Sequence, residues 1–332
     1  MRPWLEALLA AGVTPASFAP DAVVGRAGEP DEPRAEEPAA TIELVEDAGL
    51  AVHPVARGVP PAGTLFLDGI QRWKVVGYDG VLPIVLAYVA AAVRRRGADR
   101  RPVTAAGRVR EFAIAPVGAM DAGRRRALEI CGDVVPLPEE TLGQPGELIE
   151  AARREVHRAR AALEKELAEE ALAGLGPEEW LVVDGQLSVS ARLAHHPRAL
   201  GVIKSHGAQF LEGRHLRRAL TVPADHRTSV FRVQGGHGRT DVDSWYVRLW
   251  PWEGNDLLYG LLRIEARAHD TTPAAASAVS GWLLAERAPL STPDPRFDRL
   301  LYPIHDVETY LRSRAPRDLF PAPASRLPRT GS

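Results

Sequence analysis

Short apolar runs that end at polar or turn residues account for most of the strands that the sequence predicts. Two of them stop at Asp-Gly: residues 64–69 read TLFLDG, and residues 180–185 read WLVVDG. Residues 199–204, ALGVIK, form a third apolar run. Runs of this length, bounded by turn residues, are typical of buried strands. Residues 81–96, VLPIVLAYVAAAVRRR, are longer, and we expect a strand that passes into helix.

Other parts of the chain show helical spacing or strand alternation. In residues 144–173 apolar side chains recur at spacings of three and four, and Gly174 follows, so we predict one long helix. Residues 228–234, 244–252 and 256–267 alternate between apolar and polar, as antiparallel strands with one wetter face do. The predicted fold class is therefore α/β: a mixed β-sheet flanked by helices, with an additional antiparallel β region.

The two ends of the chain differ in composition from the middle. Residues 3–11 predict a short amphipathic helix, and residues 25–40, which are acidic and proline-bearing, predict a mobile surface segment. We expect residues 1–50 to be an N-terminal segment that serves partner docking. Residues 51–314 form the predicted main domain, and residues 315–332 form a proline-rich, basic tail that we expect to be disordered.

Composition narrows the class of protein. The chain has 332 residues, 45% of them hydrophobic and 25% charged, with a net charge of −2, so bulk charge does not indicate a nucleic-acid binder. The single cysteine, Cys131, excludes a disulfide framework and a four-cysteine zinc site. No apolar run reaches the roughly 18 residues that cross a bilayer. We therefore expect a cytoplasmic protein that is not embedded in a membrane.

The strongest candidates for chemistry are the two Asp-Gly strand ends. The sequence contains no Walker phosphate loop, no Gly-x-Ser-x-Gly elbow and no His-Glu-x-x-His zinc motif. Asp68 and Asp184 each follow an apolar run and precede a glycine, which lets backbone or ligand approach closely. One interpretation is two plain turns. The other is a pair of carboxylates that share magnesium or manganese, which prefer hard oxygen ligands.

Two charged residues lie close to these strands in sequence. Lys204 ends the apolar run ALGVIK, where an ammonium group needs a carboxylate or a phosphate as partner unless it simply emerges at the strand end. Glu164 lies on the predicted long helix, one place after Leu163 of the apolar stripe. It either points to the edge of the core or forms an ordinary i, i+4 pair with Arg160 on a solvated face.

A late motif, LLYPIHD, places Tyr302, His305 and Asp306 together. A histidine offers a nitrogen ligand, which manganese accepts more readily than magnesium does. Alternatively, His305 is a capping or packing residue.

The order of these motifs resembles the NurA nuclease family. The resemblance is carried by FLDGIQRW, a long Arg/Glu-rich helix with RAALEKEL, then WLVVDGQLS, GVIKSHG, LLYGLLRIEA and LLYPIHDVETYL. Together they span about residues 60–312, most of the chain. The resemblance implies an RNase-H-like core, a homodimer, and manganese-dependent degradation of DNA. It also implies a hexameric HerA-type DNA-translocating ATPase as partner, in DNA end processing or anti-phage defence.

Carried over residue by residue, the resemblance implies that Asp68, Glu164, Asp184 and His305 bind Mn²⁺ (or Mg²⁺). It implies that Lys204 contacts a phosphate of the DNA.

The fourth ligand departs from the family pattern. His305 follows Tyr302-Pro303 closely, so Asp306 remains a rival ligand. Arg263 and Arg248 on predicted strands, with the clusters Arg94–Arg96 and Arg217-Arg218, could line a path for single-stranded DNA or DNA ends. The competing hypothesis is a non-catalytic adaptor that guides DNA for the translocase.

Overall fold

The computed structural model describes residues 2–16, 41–97, 99–138, 144–204, 210–235, 239–287 and 301–315. The acidic stretch at 25–40 and the tail beyond residue 315 lie outside this part of the chain, so the predictions made for them stay predictions.

The strands of the described residues form one sheet. In chain order they are β1 (Thr14–Pro15), β2 (Ile42–Leu44), β3 (Val52–Pro54), β4 (Leu65–Asp79), β5 (Leu82–Arg96), β6 (Pro102–Ala115), β7 (Val134–Pro136), β8 (Leu181–Asp184), β9 (Ala199–Ile203), β10 (His226–Thr228), β11 (Phe231–Val233), β12 (Val242–Arg248) and β13 (Leu261–Arg267).

Helices cover both faces of this sheet. In the described residues they are α1 (Arg2–Ala10), α2 (Ala122–Cys131), α3 (Pro145–Ala173), α4 (Ala191–Ala194), α5 (Gly213–Leu220), α6 (Pro273–Ala285) and α7 (Tyr302–Arg314). Helix α3 begins with a proline at its first position and buries the stripe that the sequence predicted, including Leu148, Val156 and Leu167.

The order of the strands is mixed. The main path is β2-β11-β12-β13-β9-β8-β4-β5-β6-β7. Strands β4, β5 and β6 pair antiparallel, whereas β4, β8 and β9 pair parallel. Beyond β9, strands β13, β12, β11 and β2 continue antiparallel. The predicted α/β class, with its mixed sheet, flanking helices and antiparallel region, is confirmed.

Residues 81–96 differ from the prediction, because no helix follows the strand. The segment stays extended as β5 and pairs along its length with β4 on one side and β6 on the other. Ala90, Ala91 and Ala92 are fully buried between these neighbours and the helices above and below. The helix propensity of alanine is therefore overridden by the hydrogen-bond ladders on both edges.

The two faces of the central strands meet different helices. Phe66 of β4 packs in one apolar cluster with Ile304 and Val307 of α7. Its neighbour Leu67 points to the other face, where it joins Leu167 of α3. Side chains that follow on β4, β8 and β9 therefore face either α7 or α3, according to their parity.

The amphipathic helix predicted at the N-terminus is α1, and its apolar face is covered by the same chain. Trp4 and Leu8 are buried against Leu128 of α2 and against Ile84 of β5. Partner docking by residues 1–50 remains a prediction, but the apolar face of α1 is not available for it. None of the helices in the described residues combines the length and apolar character needed to cross a membrane.

Candidate metal centre

Asp68 and Asp184 lie side by side in the sheet. The parallel pairing of β4 with β8 ends at Leu67 and Val183, so each acid is the next residue on its strand. Because side chains alternate along a strand, both acids share the face of Phe66 and Val182, which is the face covered by α7. The two Asp-Gly strand ends are thus parts of one place in the fold.

The two glycines play different structural roles. Gly185 follows the end of β8 with φ 142°, so a turn interpretation suits Asp184-Gly185. Gly69 instead lies inside β4, paired with Ala91 of β5, and the chain does not turn there. The plain-turn interpretation is therefore wrong for Asp68-Gly69, and another reason is needed for a glycine at position 69.

Lys204 follows β9 and reaches the same face. Its Nζ lies 2.6 Å from Oδ2 of Asp184. Burial acts to lower the pKa of Lys204, but attraction by Asp184 and Asp68 outweighs it, and the pKa is raised. Lys204 is therefore a charged partner of the acids and not a lysine that emerges into solvent. Residues 205–209, which follow it, lie outside the described part of the chain.

The electrostatics of Asp68 show which acids surround it. Burial and the nearby charge of Asp184 raise its pKa well above the ordinary range of an aspartate. Glu164 and Glu308 add to this increase, while Lys204 opposes it. Four carboxylates and one ammonium group are therefore close enough to act on one another. Repulsion among buried carboxylates is what a divalent cation relieves.

Glu164 approaches Asp68 from the helix on the other face. A Cβ atom at Gly69 would lie 2.9 Å from both Cγ and Cδ of Glu164, and nearer still to Oε1. No real Cβ contact is that short, so Gly69 makes room for the Glu164 side chain. The i, i+4 pair with Arg160 is present, with Nη1 2.7 Å from Oε1, but the Glu164 side chain is only 13% exposed, so the pair does not lie on a solvated face.

Glu308 is an acid near the candidate site that sequence reasoning did not single out, and its Oε1 lies 2.5 Å from Nη2 of Arg312. It lies on α7 and is among the groups that shift the pKa of both Asp68 and Lys204. His305, the expected ligand, lies one turn earlier, with Nδ1 3.8 Å from Oε2 of Glu308 and Nε2 3.3 Å from Oγ1 of Thr309. Residues three apart on a helix share a face, so Glu308 lies on the same side of α7 as His305, but an acid at that position does not stand out in the sequence.

The other two residues of the late motif lie away from the acids. Asp306 forms an ion pair with Arg94 of β5, with Oδ2 2.8 Å from Nε, and so ties α7 to the sheet. Tyr302 is the first residue of α7 and is 52% exposed. The structure does not bring either of them into the group around Asp68.

Arg263 and Arg248 are not surface residues. Arg263 is 1% exposed, pairs with Glu265 at 3.2 Å between Nη1 and Oε1, and packs over the ring of Phe210. Arg263 lies two positions after Leu261 on β13, so both side chains point to the same face of the sheet, which is opposite to that of Asp68. Arg248 is fully buried and donates to backbone carbonyls, including Val222 O. The expectation that they line a DNA path is wrong, because neither can reach solvent.

The basic clusters divide into paired and exposed groups. Arg94, Arg95 and Arg96 each form an ion pair, with Asp306, Glu179 and Glu286 respectively. By contrast, the arginines of α5 are exposed. These are Arg214, Arg217 and Arg218. Of the two clusters expected to meet DNA, α5 has all of its arginines exposed, whereas in the other cluster Arg95 alone is exposed.

The carboxylates around Asp68 are the oxygen ligands that a hard divalent cation prefers, but their oxygen atoms are not arranged to coordinate one ion as they stand. Their ligand atoms do not form a set of three within 4.8 Å of one another; among the described residues only Glu46, Asp47 and His53 do. That second group is structural: Glu46 accepts from Arg227 at 2.7 and 2.8 Å and from Val230 N at 2.7 Å. Around Asp68, Lys204 pairs with Asp184, Arg160 with Glu164 and Arg312 with Glu308, so Asp184 can bind a cation only when Lys204 moves away from it.

The chain matches no protein-family model, and no curated protein matches it. The resemblance to the NurA family therefore rests on the order of short motifs. Any functional conclusion has to come from the geometry of the site.

Proposed function

We propose that this protein is a metal-dependent DNA nuclease with an RNase-H-like fold. The observation that carries the proposal is the convergence of Asp68, Asp184, Glu164 and Lys204 from four separate segments of the chain. A fifth segment, α7, adds Glu308. Paired acids with a lysine at neighbouring strand ends fit phosphodiester hydrolysis assisted by divalent cations.

The arrangement of the central strands supports the RNase-H-like part of the proposal. Three long antiparallel strands, β6, β5 and β4, are extended by two short parallel strands, β8 and β9. The acids lie where β8 ends beside the still continuing β4. In open α/β sheets, sites form at the carboxyl ends of parallel strands.

In this proposal the acids bind the metal ion and Lys204 contacts the phosphate. Asp68, Asp184, Glu164 and Glu308 would hold Mn²⁺ or Mg²⁺, which when bound supplies an activated water and stabilises charge on the phosphate. Lys204, whose ammonium group remains protonated, would release Asp184 and pair with a phosphate oxygen of the DNA. Glu164 and Glu308 flank the aspartates from α3 and α7, so they would complete the oxygen shell from both faces of the sheet.

The partners follow the same proposal. Single-stranded DNA or DNA ends would be attracted by the exposed arginines of α5, and this attraction weakens as salt rises. A HerA-like hexameric ATPase and a second copy of the chain are the protein partners we propose on the motif resemblance.

The test is cleavage of labelled single- and double-stranded DNA by the purified protein, alone and with a HerA-type ATPase. Mn²⁺ and Mg²⁺ should support cleavage, and EDTA should stop it. Asp184→Asn should abolish cleavage, whereas Asp270→Asn should not, because Asp270 pairs with Arg267 on the surface. If cleavage survives Asp184→Asn, the assignment of the site is wrong.

A non-catalytic DNA-guiding adaptor is the second candidate function. It is favoured by the ion pairs that already neutralise three of the acids, Lys204 with Asp184, Arg160 with Glu164 and Arg312 with Glu308. An adaptor would bind DNA and the ATPase yet leave labelled DNA intact under every metal condition.

A further inference from the structure

Arg160 of α3 is tied to the acids and not to solvent. Its Nη1 lies 2.7 Å from Oε1 of Glu164, and its Nε donates to Oε1 of Gln71 at 3.1 Å. Only 23% of the Arg160 side chain and 13% of the Glu164 side chain are exposed. An ordinary i, i+4 surface pair would not also be bonded to a strand of the sheet.

Gln71 connects this arginine to β4. It lies two residues after Gly69, so both positions face α3. Its side-chain amide nitrogen also lies 3.4 Å from Nε2 of His157, one turn before Arg160 on α3. Gly69, Gln71 and Arg160 therefore surround the Glu164 carboxylate from the strand and from the helix.

We propose that Arg160, held by Gln71, is a positioning residue that fixes the Glu164 carboxylate over Gly69, in the place where it can join Asp68 in binding a divalent cation. This inference rests on the proposed function, because it names the residues that hold one acid of the same site. Arg160 itself contacts neither the cation nor the DNA.

The physical reason is repulsion among the acids. Glu164 has three side-chain torsions, so repulsion by Asp68 and Asp184 would turn its carboxylate away from them if Arg160 did not hold it. The guanidinium group suits the task, because its planar fork bonds Glu164 and Gln71 at the same time, whereas an ammonium group is a single point of charge. Groups that orient metal ligands in this way typically change metal affinity or activity by about 10- to 100-fold when removed.

The test compares Arg160→Ala with wild type in Mn²⁺ titrations followed by electron paramagnetic resonance, and in single-turnover DNA cleavage. We expect Mn²⁺ affinity and cleavage rate to fall by about 10- to 100-fold, with KM for DNA unchanged. Added guanidinium ion should restore part of both, and Arg160→Lys should restore little. The matched control is Arg158→Ala on the same helix, whose partner is Glu155 and whose side chain is 70% exposed; it should change neither quantity.

A second variant covers the case in which Arg160→Ala does not fold. Gln71→Met keeps the side-chain volume and leaves Arg160 in place, but removes its second acceptor. It should weaken Mn²⁺ binding in the same direction.

The outcomes separate the two proposals. If wild type binds Mn²⁺ and cuts DNA while the Arg160 and Gln71 variants match it, the positioning role is refuted and the nuclease stands. If the variants keep Mn²⁺ affinity but raise KM and reduce its salt dependence, Arg160 contacts phosphate and the positioning role is also refuted. If wild type binds no Mn²⁺, the proposed function fails with it.

Discussion

Replacing Gly69 with alanine tests whether the closeness of Glu164 to β4 matters. A Cβ at this position would lie 2.9 Å from Cγ and Cδ of Glu164, whereas ordinary contact begins at 3.4 Å, so these carbons must retreat by at least 0.5 Å (3.4 − 2.9). Oε1 is nearer and must retreat farther. Displacements of about 1 Å at a reacting site cost on the order of 100-fold in rate, or about 2.7 kcal/mol of transition-state stabilisation.

The assay is single-turnover cleavage of labelled DNA at saturating Mn²⁺, with thermal unfolding measured in parallel. Alanine is compatible with the extended backbone of β4, so we expect the folded protein to persist. Gly146→Ala is the matched control, because nothing lies within 4 Å of its added Cβ, and the variant should cut DNA like wild type.

A double-mutant cycle sharpens the result. In a protein that already carries Glu164→Ala, the added methyl group meets no carboxylate, so Gly69→Ala should cost little more. An undiminished rate for Gly69→Ala alone would refute the reasoning, and so would a full 100-fold loss in the Glu164→Ala background.

Three further outcomes follow from the site. Glu308→Gln should weaken Mn²⁺-dependent cleavage by about 10-fold or more, whereas His305→Gln should keep most of it; the reverse order would restore His305 as the ligand. Lys204→Met should lower the cleavage rate by about 100-fold without weakening Mn²⁺ binding, because it removes a competitor for Asp184; weaker Mn²⁺ binding in a titration would contradict this. Since the pKa of Asp68 is raised, the folded protein holds the proton more tightly, and stability falls as pH rises from about 4 through that raised pKa. Asp68→Asn should therefore raise the unfolding temperature clearly at pH 7 and much less at pH 4; a pH-independent difference in calorimetry would be inconsistent with this cause.

The sequence predicted those parts of the fold in which one period dominates. The stripe of α3 and the apolar runs of β4, β8 and β9 required only local spacing. The error at residues 81–96 has a tertiary cause: β5 is extended because β4 and β6 bond to both of its edges. No local pattern reports the neighbours of a strand.

The candidate site was predictable to the same degree. Asp68 and Asp184 stand out because each interrupts an apolar run with a charge. Glu308 does not, because an acid on an amphipathic helix looks like any solvated glutamate until the packing of α7 is known. Gln71 was also out of reach, since its role depends on the distance from β4 to α3. Buried arginines such as Arg263 mislead for the opposite reason, because their partners are distant in sequence.

Helix α7 sets the moment at which the site becomes complete during synthesis. Glu308 follows Asp68 by 240 positions (308 − 68), and the other acids and Lys204 are all made earlier. A nascent chain can therefore pair β4, β8 and β9 while still lacking the helix that packs through Ile304 and Val307 over Phe66. In the proposed nuclease, the late synthesis of α7 would delay the assembly of the complete site. Until nearly all of the described residues had been synthesised, the proposed site would lack Glu308 and the helix that covers it, so we expect cleavage by the nascent chain to be weak.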